Sequence, residues 1–292
     1  TGEIEQVTDD TYRGFATDRE KNIGYTCRNE TEVYTVDLAT KEMTRIGDLP
    51  AGGTITGHLT AANTGRIACS YHLVNKYYGL VILDPGKEAE GVYQSDYRLG
   101  HAQICPSDEN LIFYIHETEG DAFQRTWMYD VNERYARPYY VEHPHEWITH
   151  EVWSADGTEM ALMKLDPAGP VDGGKGETHT GNIIIGDKDG RHFDIRARDT
   201  QLLHPCISRD RKWLCADRIS YLGTKIQEGV VLIERETGKS KLIATTGSCK
   251  TGADHQHPSF NRRGDQILFS NPDLSGIAQV CVIDLNQVWE NW

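Results

Sequence analysis

The chain of 292 residues has no run of about 18 apolar residues, and its start, Thr1-Gly2-Glu3-Ile4-Glu5, has neither the basic nor the apolar region of a signal peptide. Nothing here asks for a membrane partner. None of its seven cysteines (Cys27, Cys69, Cys105, Cys206, Cys215, Cys249, Cys281) falls in a Cys-x-x-Cys pair. An odd, dispersed set of this kind reads as reduced thiols and points to a cytoplasmic protein. Positive charge is scarce, with 30 Lys and Arg against 44 Asp and Glu, a net charge of −14. This argues against nucleic acid as a partner, because phosphate binding needs a basic face and the sequence shows none. Helical periodicity is almost absent, and so is an initiator Met, which leads us to expect a trimmed or partial chain. What remains, 38% apolar and 25% charged, is the composition of an ordinary globular protein.

Present instead is a repeat with a spacing of about 45 to 54 residues, the range of propeller blades. Each unit opens with an apolar strand, makes a tight polar turn and continues with a second strand. Examples are Val152-Trp153-Ser154-Ala155-Asp156-Gly157 leading to Met160-Ala161-Leu162, and Cys206-Ile207-Ser208-Arg209-Asp210 leading to Trp213-Leu214-Cys215. A third strand then ends in an acidic turn, as in Gly79-Leu80-Val81-Ile82-Leu83-Asp84 and Val230-Val231-Leu232-Ile233-Glu234. Six such units can be counted. The pattern predicts an all-β chain of meandering four-stranded antiparallel sheets, a β-propeller of six visible blades forming a single domain over 1–292. The Gly- and Pro-rich stretch from Asp166 to Gly176 falls within one unit and reads as a loop.

The histidines keep step with the repeat. His58, His101, His150, His204 and His257 each lie about five to seven residues before the turn of their unit, where the first strand begins. The first strand of a propeller blade lines the central axis, so five imidazoles in phase converge on one mouth of a channel, suited to metal or acid–base chemistry. A lone histidine at a strand end carries no such meaning, and His143, His145, His179 and His192 fall in apparent loops. Cys105, Cys206 and Cys215 read as core packing, as do Trp127, Trp153 and Trp213. In Asp254-His255-Gln256-His257-Pro258-Ser259-Phe260 an extended strand would point His255 and His257 to one side, half of a metal site.

Several motifs resemble those of the oligogalacturonate lyases, cytoplasmic enzymes that split short pectin fragments. They are Gly100-His101-Ala102-Gln103, Ile115-His116-Glu117, Gln124-Arg125-Thr126-Trp127, Thr149-His150-Glu151-Val152-Trp153 and His255-Gln256-His257-Pro258-Ser259-Phe260, and the likeness runs from near Thr1 to Trp289. The resemblance implies a β-propeller, seven-bladed in that family, with a divalent metal, manganese, held by three histidines and a glutamine. Carried onto this chain, it makes His204, His255 and His257 the metal ligands and His150 the general base. Arg125 is then the arginine at the substrate carboxylate, and His101, Gln103 and His116 bind substrate. The family's glutamine position is Gly252 here, leaving Gln256, Asp254 or water for that place. Six units where the family has seven suggest that an N-terminal blade is missing from the chain, the alternative being a six-bladed variant.

The implied reaction is β-elimination on a small acidic oligosaccharide. A base removes the C5 proton of a 4-linked uronate, the C4-linked sugar leaves, and an unsaturated uronate results. Two other readings stay open: a metal-dependent hydrolase on the same scaffold, and an inactive propeller acting as a binding platform.

Overall fold

The computed structural model describes residues 5–9, 11–18, 20–73, 77–117, 122–144, 146–168, 177–200, 202–220, 226–248, 255–272, 278–290 and 292. At 166–168, 177–181 and 198–200 the description is of the backbone only. The chain divides into two compact units, Thr1–Val141 and Glu142–Trp292.

The first unit holds three antiparallel sheets. One runs β1 (Tyr12–Thr17), β2 (Ile23–Arg28), β3 (Glu32–Asp37), β4 (Met43–Asp48). In the next, β5 (Gly53–Ile55) and β6 (Thr60–Ala61) both pair with β7 (Ile67–Leu73), followed by β8 (Tyr78–Leu83) and β9 (Glu90–Ser95). The third is β10 (Leu99–Cys105), β11 (Asp108–His116), β12 (Thr126–Asp130), β13 (Tyr135–Pro138).

The second unit repeats the plan. Its sheets are β14 (Trp147–Trp153) to β17 (Phe193–Thr200) by way of β15 (Glu159–Ala168) and β16 (Glu177–Asp187), and β18 (Cys206–Ile207) to β21 (Ser240–Thr245) by way of β19 (Trp213–Arg218) and β20 (Gly229–Glu234). The last comprises, among the described residues, β22 (Ser259–Phe260), β23 (Gln266–Pro272) and β24 (Ala278–Asp284), and the short helix α1 (Leu285–Trp289) follows it. The six repeats therefore become six meandering sheets, blades of a β-propeller, and β15 runs on to Ala168, into the stretch from Asp166 expected to be loop, because its pairing with β16 continues there. Among the described residues no helix is long and apolar enough to cross a membrane.

Why the second and third strands of each blade read as unbroken apolar runs is a matter of packing. Leu80, Val81, Ile82 and Leu83 of β8, and Val230 to Ile233 of β20, are buried on both faces, because each lies in the middle sheet of its unit, with a neighbouring sheet on either side. One apolar layer of the first unit joins Leu80 and Ile82 to Ile104 and Ile112 of the next sheet. In the second unit another joins Ile183 and Ile185 to Leu214 and Val231. Burial of each such side chain contributes about 1.5–3 kcal/mol. Outer strands show the reverse: β4 and β21 have no fully buried residue.

Short polar side chains close the turns. Asp37 accepts from the N–H groups of Ala39 and Thr40, and Asp130 from those of Asn132 and Glu133. Ser154 with Asp156 and Ser208 with Asp210 form the same hydroxyl–carboxylate pair in successive blades. Cys105, Cys215 and Trp153 are buried as core residues, while Cys206 is half-buried and Trp213 packs on Trp289. Cys249 lies outside the described residues.

Candidate metal centre

The phased position is a repeated irregularity of the first strand rather than its beginning. In β10 the register against β11 shifts between Gly100 and Gln103, and in β14 it shifts against β15 between Thr149 and Val152. Similarly, β1 shifts between Arg13 and Ala16, and residues 56–59 interrupt the pairing of β5 and β6 with β7. Next to β18, Leu202 bridges Arg218 but Cys206 already faces Cys215. In the last blade Ser270 donates to the Gln256 carbonyl, whereas Ser259 faces Leu268. A bulge rotates the chain locally and re-aims one side chain. His58, His101, His150, His204 and His257 occupy these interruptions, and His101, His150 and His257 have positive φ (48°, 52° and 43°). Non-glycine residues in that region cost about 1 kcal/mol each, a strain that concentrates at functional sites.

In the second unit the imidazoles meet. The ring of His204 lies 3.6 Å from that of His257, 5.3 Å from that of His255 and 4.0 Å from that of His150, centroid to centroid. One ligand atom from each of His204, His255 and His257 falls within 4.8 Å of the others, a separation that a single cation can span. His255 and His257 do not reach this arrangement as alternate residues of a strand. They precede β22, and the left-handed backbone of His257 turns its ring towards His204.

Asp217, next to last in β19, completes the cluster and was not recognised in the sequence. It is wholly buried, and Oδ2 lies 2.7 Å from His204 Nδ1 while accepting the His257 backbone N–H at 3.1 Å. An imidazole that gives its Nδ1–H to a carboxylate keeps its Nε2 lone pair for a metal, so the donor set fits a divalent ion. The site held by the described residues is three imidazoles with one buried carboxylate behind them. Gln256, between His255 and His257, is fully buried, and its side-chain NH2 donates to Thr246. Gly252 and Asp254 lie outside the described residues.

Arg125, His101, His116 and Gln103 belong to the first unit. Arg125 is 2% exposed, with Glu117 3.7 Å away, and its carbonyl accepts the His116 N–H at 2.8 Å. His101 Nε2 lies 4.0 Å from the other oxygen of Glu117, which so faces both a guanidinium and an imidazole. His116, the last residue of β11, packs its ring at a tilt of 35° on Tyr97, centroids 3.8 Å apart. Burial, reinforced by the Arg125 charge, holds its pKa below the usual histidine value. Gln103 is half-buried on β10 beyond the bulge, and His58 is exposed. His143 and His192 are exposed, in keeping with loop positions, whereas His145 and the side chain of His179 lie outside the described residues.

No protein-family model matches the chain. An oligogalacturonide lyase of Pectobacterium atrosepticum is 26% identical over 209 residues, 65% of this chain and 50% of that protein. The resemblance to these lyases holds in sequence and in fold. Two solved structures, an oligogalacturonate lyase from Vibrio parahaemolyticus and an oligogalacturonate lyase in complex with manganese, superpose with TM-scores of 0.81 and 0.82 at 19% and 18% identity. They cover 96% and 97% of this chain, and the chain covers 80% of each. At such identities the solved structures speak for the propeller fold alone. The chain spans about half the length of the curated relative it matches.

Proposed function

We propose that the protein is a metal-dependent lyase that cleaves short 4-linked oligogalacturonides by β-elimination. The observation that carries this reading is the convergence of His204, His255 and His257 with His150 packed against them. Similarity to an oligogalacturonide lyase supports the substrate class, and dispersed cysteines, none in a disulfide among the described residues, support a cytoplasmic setting. His204, His255 and His257 would hold a divalent ion, manganese by analogy with the lyase solved in complex with it. When bound, the ion supplies positive charge that an acidic protein otherwise lacks, stabilising the substrate carboxylate and the enolate that develops beside it.

The chain's own residues do the rest. His150 takes the C5 proton on a ring nitrogen, a proton that is weakly acidic because a carboxylate already stands beside it. The C5–H electrons form the C4=C5 bond, the C4–O bond breaks, and the departing sugar alkoxide takes a proton from water. In the first unit, the resemblance gives Arg125, with its planar guanidinium, the part of answering a uronate carboxylate, and His101, Gln103 and His116 that of binding sugar.

Digalacturonate supplied with Mn²⁺ tests the reading. The expected result is a rise in ultraviolet absorbance from the unsaturated product. Reducing ends without that absorbance would mean hydrolysis, and neither signal with the metal site filled would mean a binding platform.

A further inference from the structure

Asp217 has no part in the proton transfer, yet it is a carboxylate buried without any exposed surface. A charge so placed is costly unless its partners are fixed. Its backbone is held within the sheet: Asp217 pairs with Val230 of β20, and its carbonyl accepts the Leu203 N–H at 2.9 Å. The two carboxylate oxygens differ. Oδ2 meets both His204 Nδ1 and the His257 backbone N–H, whereas Oδ1 is buried with no hydrogen bond among the described residues. His204 and His257, by contrast, stand in irregular segments ahead of β18 and β22.

We infer that Asp217 is the positioning residue of the metal centre, one oxygen fixing the ring tautomer of His204 and the left-handed backbone of His257 together. The inference rests on the metal-site reading above and adds to it the residue that sets affinity. With Nδ1–H given to Asp217, His204 has its lone pair on Nε2, and the adjacent negative charge makes that nitrogen a better donor. At His257 the N–H bond holds a φ of 43°, from which the chain would otherwise relax to an extended conformation, carrying the ring away. Ligands from two successive sheets are thus hung on a single rigid strand. The buried charge also favours a cation in the space that the three imidazoles enclose.

The test is Mn²⁺ alone, titrated into metal-free protein and followed by the paramagnetic resonance of the free ion. Asp217→Asn keeps the shape and one carbonyl oxygen but loses the charge, and its amide can present N–H to His204 and reverse the tautomer. We expect Mn²⁺ binding about 10–100-fold weaker, with an unchanged circular dichroism spectrum. Long-range proton–nitrogen correlation of His204 in the metal-free protein should show the Nδ1–H tautomer in the native chain and lose it in the variant. Affinity within about twofold of the native protein, or an unchanged tautomer, would overturn the inference. Absence of Mn²⁺ binding by the native protein would instead refute the metal-site reading, and the tautomer measurement would still decide what Asp217 does. Should Asp217→Ala fail to fold, the isosteric variant carries the test.

Discussion

Replacing His150 by alanine separates proton transfer from metal binding. The His150 ring packs 4.0 Å from His204, yet it stands outside the trio whose ligand atoms lie within 4.8 Å of one another. Its removal takes away one wall of the cluster and no ligand. Loss of a positioned general base lowers kcat by about 10²–10⁴-fold. At about 1.36 kcal/mol per tenfold, that is about 2.7–5.5 kcal/mol of barrier. Alanine keeps a Cβ, so the positive φ at residue 150 is as strained in the variant as in the native protein, and the comparison reads the loss of the ring alone. His257→Ala provides the contrast, because it removes a ligand and should lose metal and activity together. Ultraviolet absorbance of the unsaturated product, measured beside Mn²⁺ content by elemental analysis, reads both quantities on one preparation. A His150→Ala variant as active as the native protein, or one that has lost its metal, would refute the assignment of the base.

Other perturbations reach different parts of the molecule. Mn²⁺ at about a hundredfold its dissociation constant should stabilise the native protein by about 2.7 kcal/mol, raising the melting temperature by several degrees, and His204→Ala should abolish the shift. His101→Gly, at a φ of 48°, should gain about 1 kcal/mol in urea denaturation while raising KM for digalacturonate. Leu232→Ala, fully buried between sheets of the second unit, should cost about 2–5 kcal/mol by the same denaturation. Hydrogen bonding from Arg66, helped by Lys87, lowers the pKa of Asp84 to about 2. A depressed carboxylate stabilises above its unfolded value and loses that contribution as pH falls through the folded one. Asp84→Asn should therefore remove about 1 kcal/mol at neutral pH and nothing at about pH 1.

Much of this was legible in the sequence, for a physical reason. Strands buried on both faces carry unbroken runs such as Leu80 to Leu83, and side-chain-capped turns carry Asp37 or Asp130, so blade boundaries are written locally. The phase of the histidines is likewise a count along the chain. Asp217 was not legible, because nothing local distinguishes this acid, next to last in β19, from one that meets solvent. Only the pairing of β18 with β19 brings His204 beside it. The surroundings of Gln256 were equally hidden: its backbone carbonyl accepts from Ser270 and its side-chain NH2 donates to Thr246, contacts that only the folded sheet creates.

The bulges tie these observations together. A regular first strand would alternate its side chains across the two blade faces, into the apolar layers that hold neighbouring sheets, where an imidazole would be buried at a cost. Breaking the register at one position per blade frees that side chain from the alternation. In the first blade this position includes Gly14, at a φ of 63°, the residue for which such a backbone is inexpensive. His101, His150 and His257 accept the same backbone without that ease. Glycine there would be the more stable choice, so the strain is explained by what the rings do. That makes the three sites separable by experiment: a histidine kept for packing should lose stability when changed to glycine, and one kept for chemistry should gain it while losing function.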